Sequence, residues 1–121
     1  LFKEIFMRLR PCQEPEIKNY LHLVNGECGG LYGFVSSHAA NTFALATFVG
    51  LLLKNRIKYF LFYMLLWAAF VSFSRIYLGV HYPLDVLCGT LLGVVIGVIS
   101  TKFFKWYFNK NIFNLTSSDR V

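Results

Sequence analysis

Two histidines, two arginines, one lysine and one aspartate in this sequence have types and spacings suited to phosphate chemistry. Ser74-Arg75 is followed by five residues, then His81, then three residues, then Asp85. Pro83 suits the first turn of a helix, so Asp85 falls a turn inside it, where its carboxylate can reach back toward His81. A carboxylate bonded to one ring nitrogen fixes the histidine tautomer and raises the basicity of the other nitrogen. His81 is then a candidate nucleophile. The bland alternative is a structural Arg75–Asp85 pair beside a buried histidine. Lys3 and Arg10 are seven residues apart and Pro11 follows. On a helix that spacing is about 10.5 Å of rise and nearly two turns, so both cations project from one face, either toward an anion or as interfacial anchors. In Val35-Ser36-Ser37-His38, Ser36 or Ser37 is a natural N-cap, and His38 sits in the first turn of the helix that follows. A helix N-terminus is a ready anion site, although neutral caps and stray histidines are common.

Taken together, cations, helix N–H groups and two histidines suit phosphoryl transfer through a phosphohistidine, with no metal and no cofactor expected. The sequence has no Cys/His cluster of zinc-like spacing, no Walker loop and no Rossmann glycine pattern. Electrostatic stabilisation of the transferring phosphoryl group would be the main catalytic contribution.

These residues must be held by elements that the composition identifies as membranous. The chain has 121 residues, 56% hydrophobic and 15% charged, with 13 Phe. Ordinary soluble domains are about 25% charged. A disordered tail is excluded. A soluble nucleic-acid domain is disfavoured despite the net charge of +6, because the basic residues lie between uncharged runs rather than along a polar stripe. Three runs, 39–53, 59–74 and 86–101, carry no charge. Each is short of the ~20 residues of a spanning helix, and snorkelling Lys54, Lys58 and Lys102 can supply the difference. The expected spans are about 37–54, 57–74 and 83–106, which makes the fold class all-α, an integral membrane helical bundle. A small soluble bundle is the weaker reading. Residues 1–9 are expected to be a helix end, 11–35 an irregular or partly helical loop, and 107–121 a polar tail.

The loop at 54–58 carries Lys54, Arg56 and Lys58, and the segment after the last span carries Lys102, Lys105 and Lys110. By the positive-inside rule these clusters are cytoplasmic. Segments 1–37 and 74–84 then face the outside or a periplasm, and the chemistry-bearing residues all lie on that side.

At these residues the sequence resembles the type 2 phosphatidic acid phosphatases, relatives of vanadium haloperoxidases and glucose-6-phosphatase. That family carries Lys-x6-Arg-Pro, Pro-Ser-Gly-His and Ser-Arg-x5-His-x3-Asp. The first and third motifs match fully at Lys3…Arg10-Pro11 and Ser74-Arg75…His81…Asp85, while the second departs at Val35 and Ser37. The resemblance covers about residues 3–103. It implies that His81 attacks phosphorus, that Asp85 orients and activates it, and that His38 protonates the leaving group and then activates water. Lys3, Arg10 and Arg75 would hold phosphate oxygens, with Ser36 and the N–H groups near Ser37 adding hydrogen bonds. Glycine at 37 would allow close backbone approach; the Ser37 hydroxyl can donate to phosphate instead, and activity is expected to survive. The family has six spanning helices, with the first motif at the end of the third. The sequence, which begins at Leu1, therefore resembles the C-terminal half of one phosphatase domain, lacking three helices.

Cys12 and Cys28 both fall on the outer side, where they can pair in an oxidising compartment. Cys88 reads as a packing residue and Trp67 as core. Gly89, Gly93 and Gly97 form a smooth stripe for close helix packing, inside the chain or in a homo-oligomer. The expected function is a metal-independent lipid phosphatase at the outer face of a bacterial inner membrane. Undecaprenyl diphosphate is the favoured substrate, with phosphatidylglycerol phosphate, phosphatidic acid or lipid A as others. The alternative is a non-catalytic membrane protein of the same fold that binds a lipid or a partner.

Overall fold

The computed structural model describes residues 6–20, 28 and 30–118, and its regular structure is helical throughout. Helix α1 runs Ser37–Leu53, α2 runs Phe60–Tyr77 and α3 runs Pro83–Ser118. Two short 3-10 turns, Pro11–Gln13 and Lys18–Tyr20, lie before them.

Each boundary has a local cause. Ser36 is extended and its hydroxyl oxygen accepts from the Ala39 N–H, so it caps α1. Tyr59 precedes α2 in the left-handed region, at φ 60°. Gly79, at φ 64°, reverses the chain after α2, with its N–H donating to the Ile76 carbonyl. Pro83 opens α3, where its missing N–H costs nothing. The start and end of α2 fall three residues later than expected, because Arg75 lies within the last turn rather than beyond it. Helix α3 continues past the expected end at 106, since no Gly or Pro interrupts 98–118.

The expectation of a helix through residues 1–9 fails at its end. Met7 has φ 41°, Leu9 makes an antiparallel bridge with Tyr32, and Arg10 is extended. The two-turn helical spacing from Lys3 to Arg10 therefore does not exist, and Lys3 itself lies outside the described residues.

Helix α1 is the centre of the bundle, packing along both α2 and α3, which barely touch each other. Small residues allow this. Phe43, Ala46 and Ala68 form the core, with Met64, Leu65 and Val94 packed against it. A Cβ at Gly89 would lie 2.6 Å from the Ser36 carbonyl oxygen, and one at Gly97 would lie 2.6 Å from Thr47 Cβ. A Cβ at Gly93 would strike the Ala40 carbonyl oxygen. The glycine stripe is thus filled by α1 of the same chain, the first of the two partners expected for it.

Helix α2 and the Pro83–Lys110 part of α3 are long and apolar enough to cross a membrane, while α1, at 17 residues, is shorter. Their outward faces are apolar and exposed, as at Phe62, Phe70 and Phe73 on α2 and Leu91, Val95 and Ile99 on α3. Trp67 belongs to that outward face, 43% exposed, and not to the core. Such a surface is stable against lipid tails and costly against water.

Candidate active site

The polar residues gather where α1 and α3 begin and α2 ends. The N–H of Ser36 donates to the carbonyl oxygen of Asp85 at 3.1 Å. That bond and the Gly89 contact bring the N-terminus of α1 against the first turns of α3. The Arg75 carbonyl accepts from both Val80 and His81 N–H, at 3.2 and 3.3 Å, which fixes the main chain of the nucleophile candidate. Two helix N-termini, each carrying a partial positive charge, meet at one end of the bundle. The exposed Lys54, Arg56 and Lys58 lie in the turn at the other end.

A third segment reaches the same place. Residues 8–10 pair with 31–33, Arg10 N–H donating to Leu31 O at 3.1 Å and Gly33 N–H to Arg8 O at 2.9 Å. In extended chain, residues two apart share a side, so Arg8 and Arg10 both approach Asp85. Gly33 sits among them. A Cβ there would lie 3.2 Å from Arg10 Cγ, 3.3 Å from Asp85 Oδ2 and 3.6 Å from His81 Nδ1.

Asp85 is wholly buried and His81 is 3% exposed. The Asp85 carboxylate divides its two oxygens. Oδ1 accepts from Arg8 Nη1 at 3.1 Å. Oδ2 accepts the Tyr82 N–H at 3.0 Å and faces His81 Nδ1 at 3.9 Å, within ion-pair reach. Arg8 also lies over the Tyr82 ring, 4.4 Å from its centroid. Arg10 is 8% exposed, and its Nε is a buried donor with no acceptor among the described residues. Burial draws the Arg10 guanidinium below its ordinary pKa, and the Asp85 carboxylate opposes that shift. Arg75, in the last turn of α2, also leaves its Nε buried without an acceptor among the described residues. Buried donors of this kind require a partner, and an anion would supply one.

Ser36 is fully buried in its cap. Ser37 and His38 are exposed in the first turn of α1. The added bulk of Ser37 is therefore directed to no buried contact. Cys12 and Cys28 are joined in a disulfide with Cα atoms 5.9 Å apart, and Cys12 is buried two residues after Arg10. Among the described residues no group of His, Cys, Asp and Glu is arranged to hold a metal ion. Of the sequence-derived site residues, Arg10, Ser36, Arg75, His81 and Asp85 lie at this one end, with Ser37 and His38 on its rim. Arg8 and Gly33 were not singled out from the sequence. The x-Arg-x-Arg alternation was a usable signal for Arg8 once residues 8–10 were read as extended; no signal marked Gly33.

Comparison with known proteins places this arrangement in context. The family model described as PAP2 superfamily matches residues 1–109. The chain is 38% identical over 103 residues to a lipid A 4'-phosphatase of Porphyromonas gingivalis, covering 85% of this chain and 43% of that protein. It is 44% identical over 87 residues to a lipid A 4'-phosphatase of Bacteroides thetaiotaomicron, covering 71% of this chain and 38% of that protein. It is 38% identical over 71 residues to an undecaprenyl-diphosphatase of Sulfolobus acidocaldarius, covering 59% of this chain and 33% of that protein. The chain thus spans about two-fifths of the length of the first two relatives. No solved structure gives a significant match.

Proposed function

The chain belongs to the PAP2 superfamily, and from that premise we propose that it hydrolyses a terminal phosphate of a membrane lipid through a phosphohistidine. The observation that carries this reading is the buried Asp85 facing His81, with the unsatisfied Nε donors of Arg10 and Arg75 at the same end of the bundle.

In the proposed reaction Asp85 holds the Nδ1 side of His81, leaving Nε2 to attack phosphorus. The N–P bond forms as the bond from phosphorus to the lipid oxygen breaks, and His38 gives that oxygen its proton. His38 then takes a proton from water. The resulting hydroxide attacks phosphorus, the N–P bond breaks, and inorganic phosphate leaves with His81 restored. Arg10 and Arg75, Lys3 from the preceding segment, and the α1 N-terminus with Ser36 and Ser37 balance the charge on the equatorial oxygens. Such preorganised donors are worth most where water is excluded.

The apolar outer faces of α2 and α3 support a membrane location, and the basic 54–58 turn supports an orientation with the site on the outer, periplasmic side of a bacterial inner membrane. The names of the two bacterial relatives favour the 4'-phosphate of lipid A as the first substrate to offer, ahead of undecaprenyl diphosphate, which the archaeal relative's name keeps in view. The test is phosphate release by the full-length protein in detergent from both lipids, phosphatidylglycerol phosphate and phosphatidic acid, without added metal. Release that disappears in His81→Ala is the expected result. No release from a folded protein would favour a non-catalytic lipid-binding role.

A further inference from the structure

We propose that Arg8 is a positioning residue for this reaction, holding Asp85 Oδ1 so that Oδ2 stays turned toward His81. The terminal torsion of an aspartate is broad and two-fold, so its side chain alone does not decide which oxygen faces the imidazole. Here each oxygen has its own anchor: Arg8 Nη1 at 3.1 Å on Oδ1 and the Tyr82 N–H at 3.0 Å on Oδ2. Arg8 is itself held three ways. Its backbone is paired to Gly33, its guanidinium lies over the Tyr82 ring, and its ion pair ends on a carboxylate with no exposure. The Tyr82 N–H thus holds one carboxylate oxygen, and the Tyr82 ring lies against the guanidinium that holds the other.

The division of labour between the two arginines follows from their partners. Arg8 already commits Nη1 to Asp85, whereas Arg10 keeps a buried Nε without an acceptor among the described residues. Arg10 suits a phosphate oxygen, and Arg8 acts through Asp85. An exposed ion pair would be worth little. Arg8 is 38% exposed but its partner is not exposed at all, so the pair is desolvated on the side that faces the nucleophile.

This inference rests on the phosphohistidine reading, and its test separates the two. The full-length protein in detergent micelles is compared with Arg8→Gln, Arg8→Lys, Asp85→Asn and the Arg8→Gln/Asp85→Asn double variant. Two readouts are taken: kcat and KM on one lipid phosphate, and the ring nitrogen signals of 15N-histidine, assigned by His81→Gln. Arg8→Gln should lower kcat by about 10- to 100-fold with KM unchanged, and Arg8→Lys should recover most of the loss. In the Asp85→Asn background, Arg8→Gln should cost nothing further, because the group it acts through is gone. The His81 ring signals should move in Arg8→Gln and Asp85→Asn alike. A raised KM, or an equal loss in both backgrounds, would overturn the proposal in favour of direct phosphate binding or a general structural role. A wild type without turnover would defeat the phosphatase reading alone; the positioning role would then stand or fall on whether the His81 signals move.

Discussion

The Ser36 N–H donates to the Asp85 carbonyl oxygen at 3.1 Å, which ties the capped start of α1 to the first turn of α3. This contact exists because Gly89, one turn further along α3, leaves room for the Ser36 carbonyl. A Cβ at Gly89 would come within 2.6 Å of that backbone oxygen, which no side-chain rotation relieves. Gly89→Val should therefore push the two helix starts apart. Overpacking of this kind costs about 1–3 kcal/mol. Denaturant or thermal unfolding in detergent should show the loss, together with reduced turnover. Gly30→Ala is the control, since a Cβ there meets nothing within 4 Å.

Gly33→Ala should separate stability from chemistry. Its Cβ would press on Arg10 Cγ, Asp85 Oδ2 and His81 Nδ1 at 3.2 to 3.6 Å, distances that a few tenths of an ångström of movement can accommodate. The fold should survive. Small misplacements of reacting groups are costly, up to about 100-fold for 1 Å. The expected outcome is an unchanged melting temperature and a kcat lowered roughly tenfold. A fully active Gly33→Ala would show that the close approach of this backbone is not needed.

The Cys12–Cys28 bridge closes a loop of sequence separation 16 directly after Arg10. Loops of that length give about 3 kcal/mol in the chain-entropy account. Cys12→Ser/Cys28→Ser should lower stability by about that amount, measured by unfolding under non-reducing conditions. Adding a reductant to the wild type should reproduce the loss, and should leave the double variant unaffected.

Arg10 and Arg75 should behave as phosphate-holding groups. Hydrogen bonds to charged groups are worth about 1.5–3 kcal/mol, so Arg10→Ala or Arg75→Ala should lower kcat/KM by roughly 10- to 150-fold. Arg10→Lys should recover little of this, because an ammonium does not reproduce the guanidinium fork. Steady-state kinetics on one lipid phosphate decides the point.

Much of this arrangement was legible from local sequence. The uncharged runs located all three helices, because charge is excluded from an apolar surface. Pro83 and the three residues between His81 and Asp85 placed the carboxylate back against His81, because helix geometry is fixed by the backbone. What was not legible was non-local. The pairing of residues 8–10 with 31–33 has no periodicity of its own, so the Lys3–Arg10 stretch read as helix and Arg8 passed as one more loop charge. Trp67 read as core because an apolar run gives no sign of which side faces lipid, and the low-polarity face of α2 looks alike all round. The glycine stripe announced close packing but not its partner, which only the chain path through α1 determines.

A phosphoryl group carried on His81 can be trapped as a covalent intermediate. The full-length protein would be mixed with a lipid substrate labelled with 32P in its terminal phosphate and quenched at base, where phosphohistidine survives. The expected result is labelled protein in the wild type that is lost on acid treatment, and none in His81→Ala. Turnover by His81→Ala at the wild-type rate, or label that persists in that variant, would contradict it.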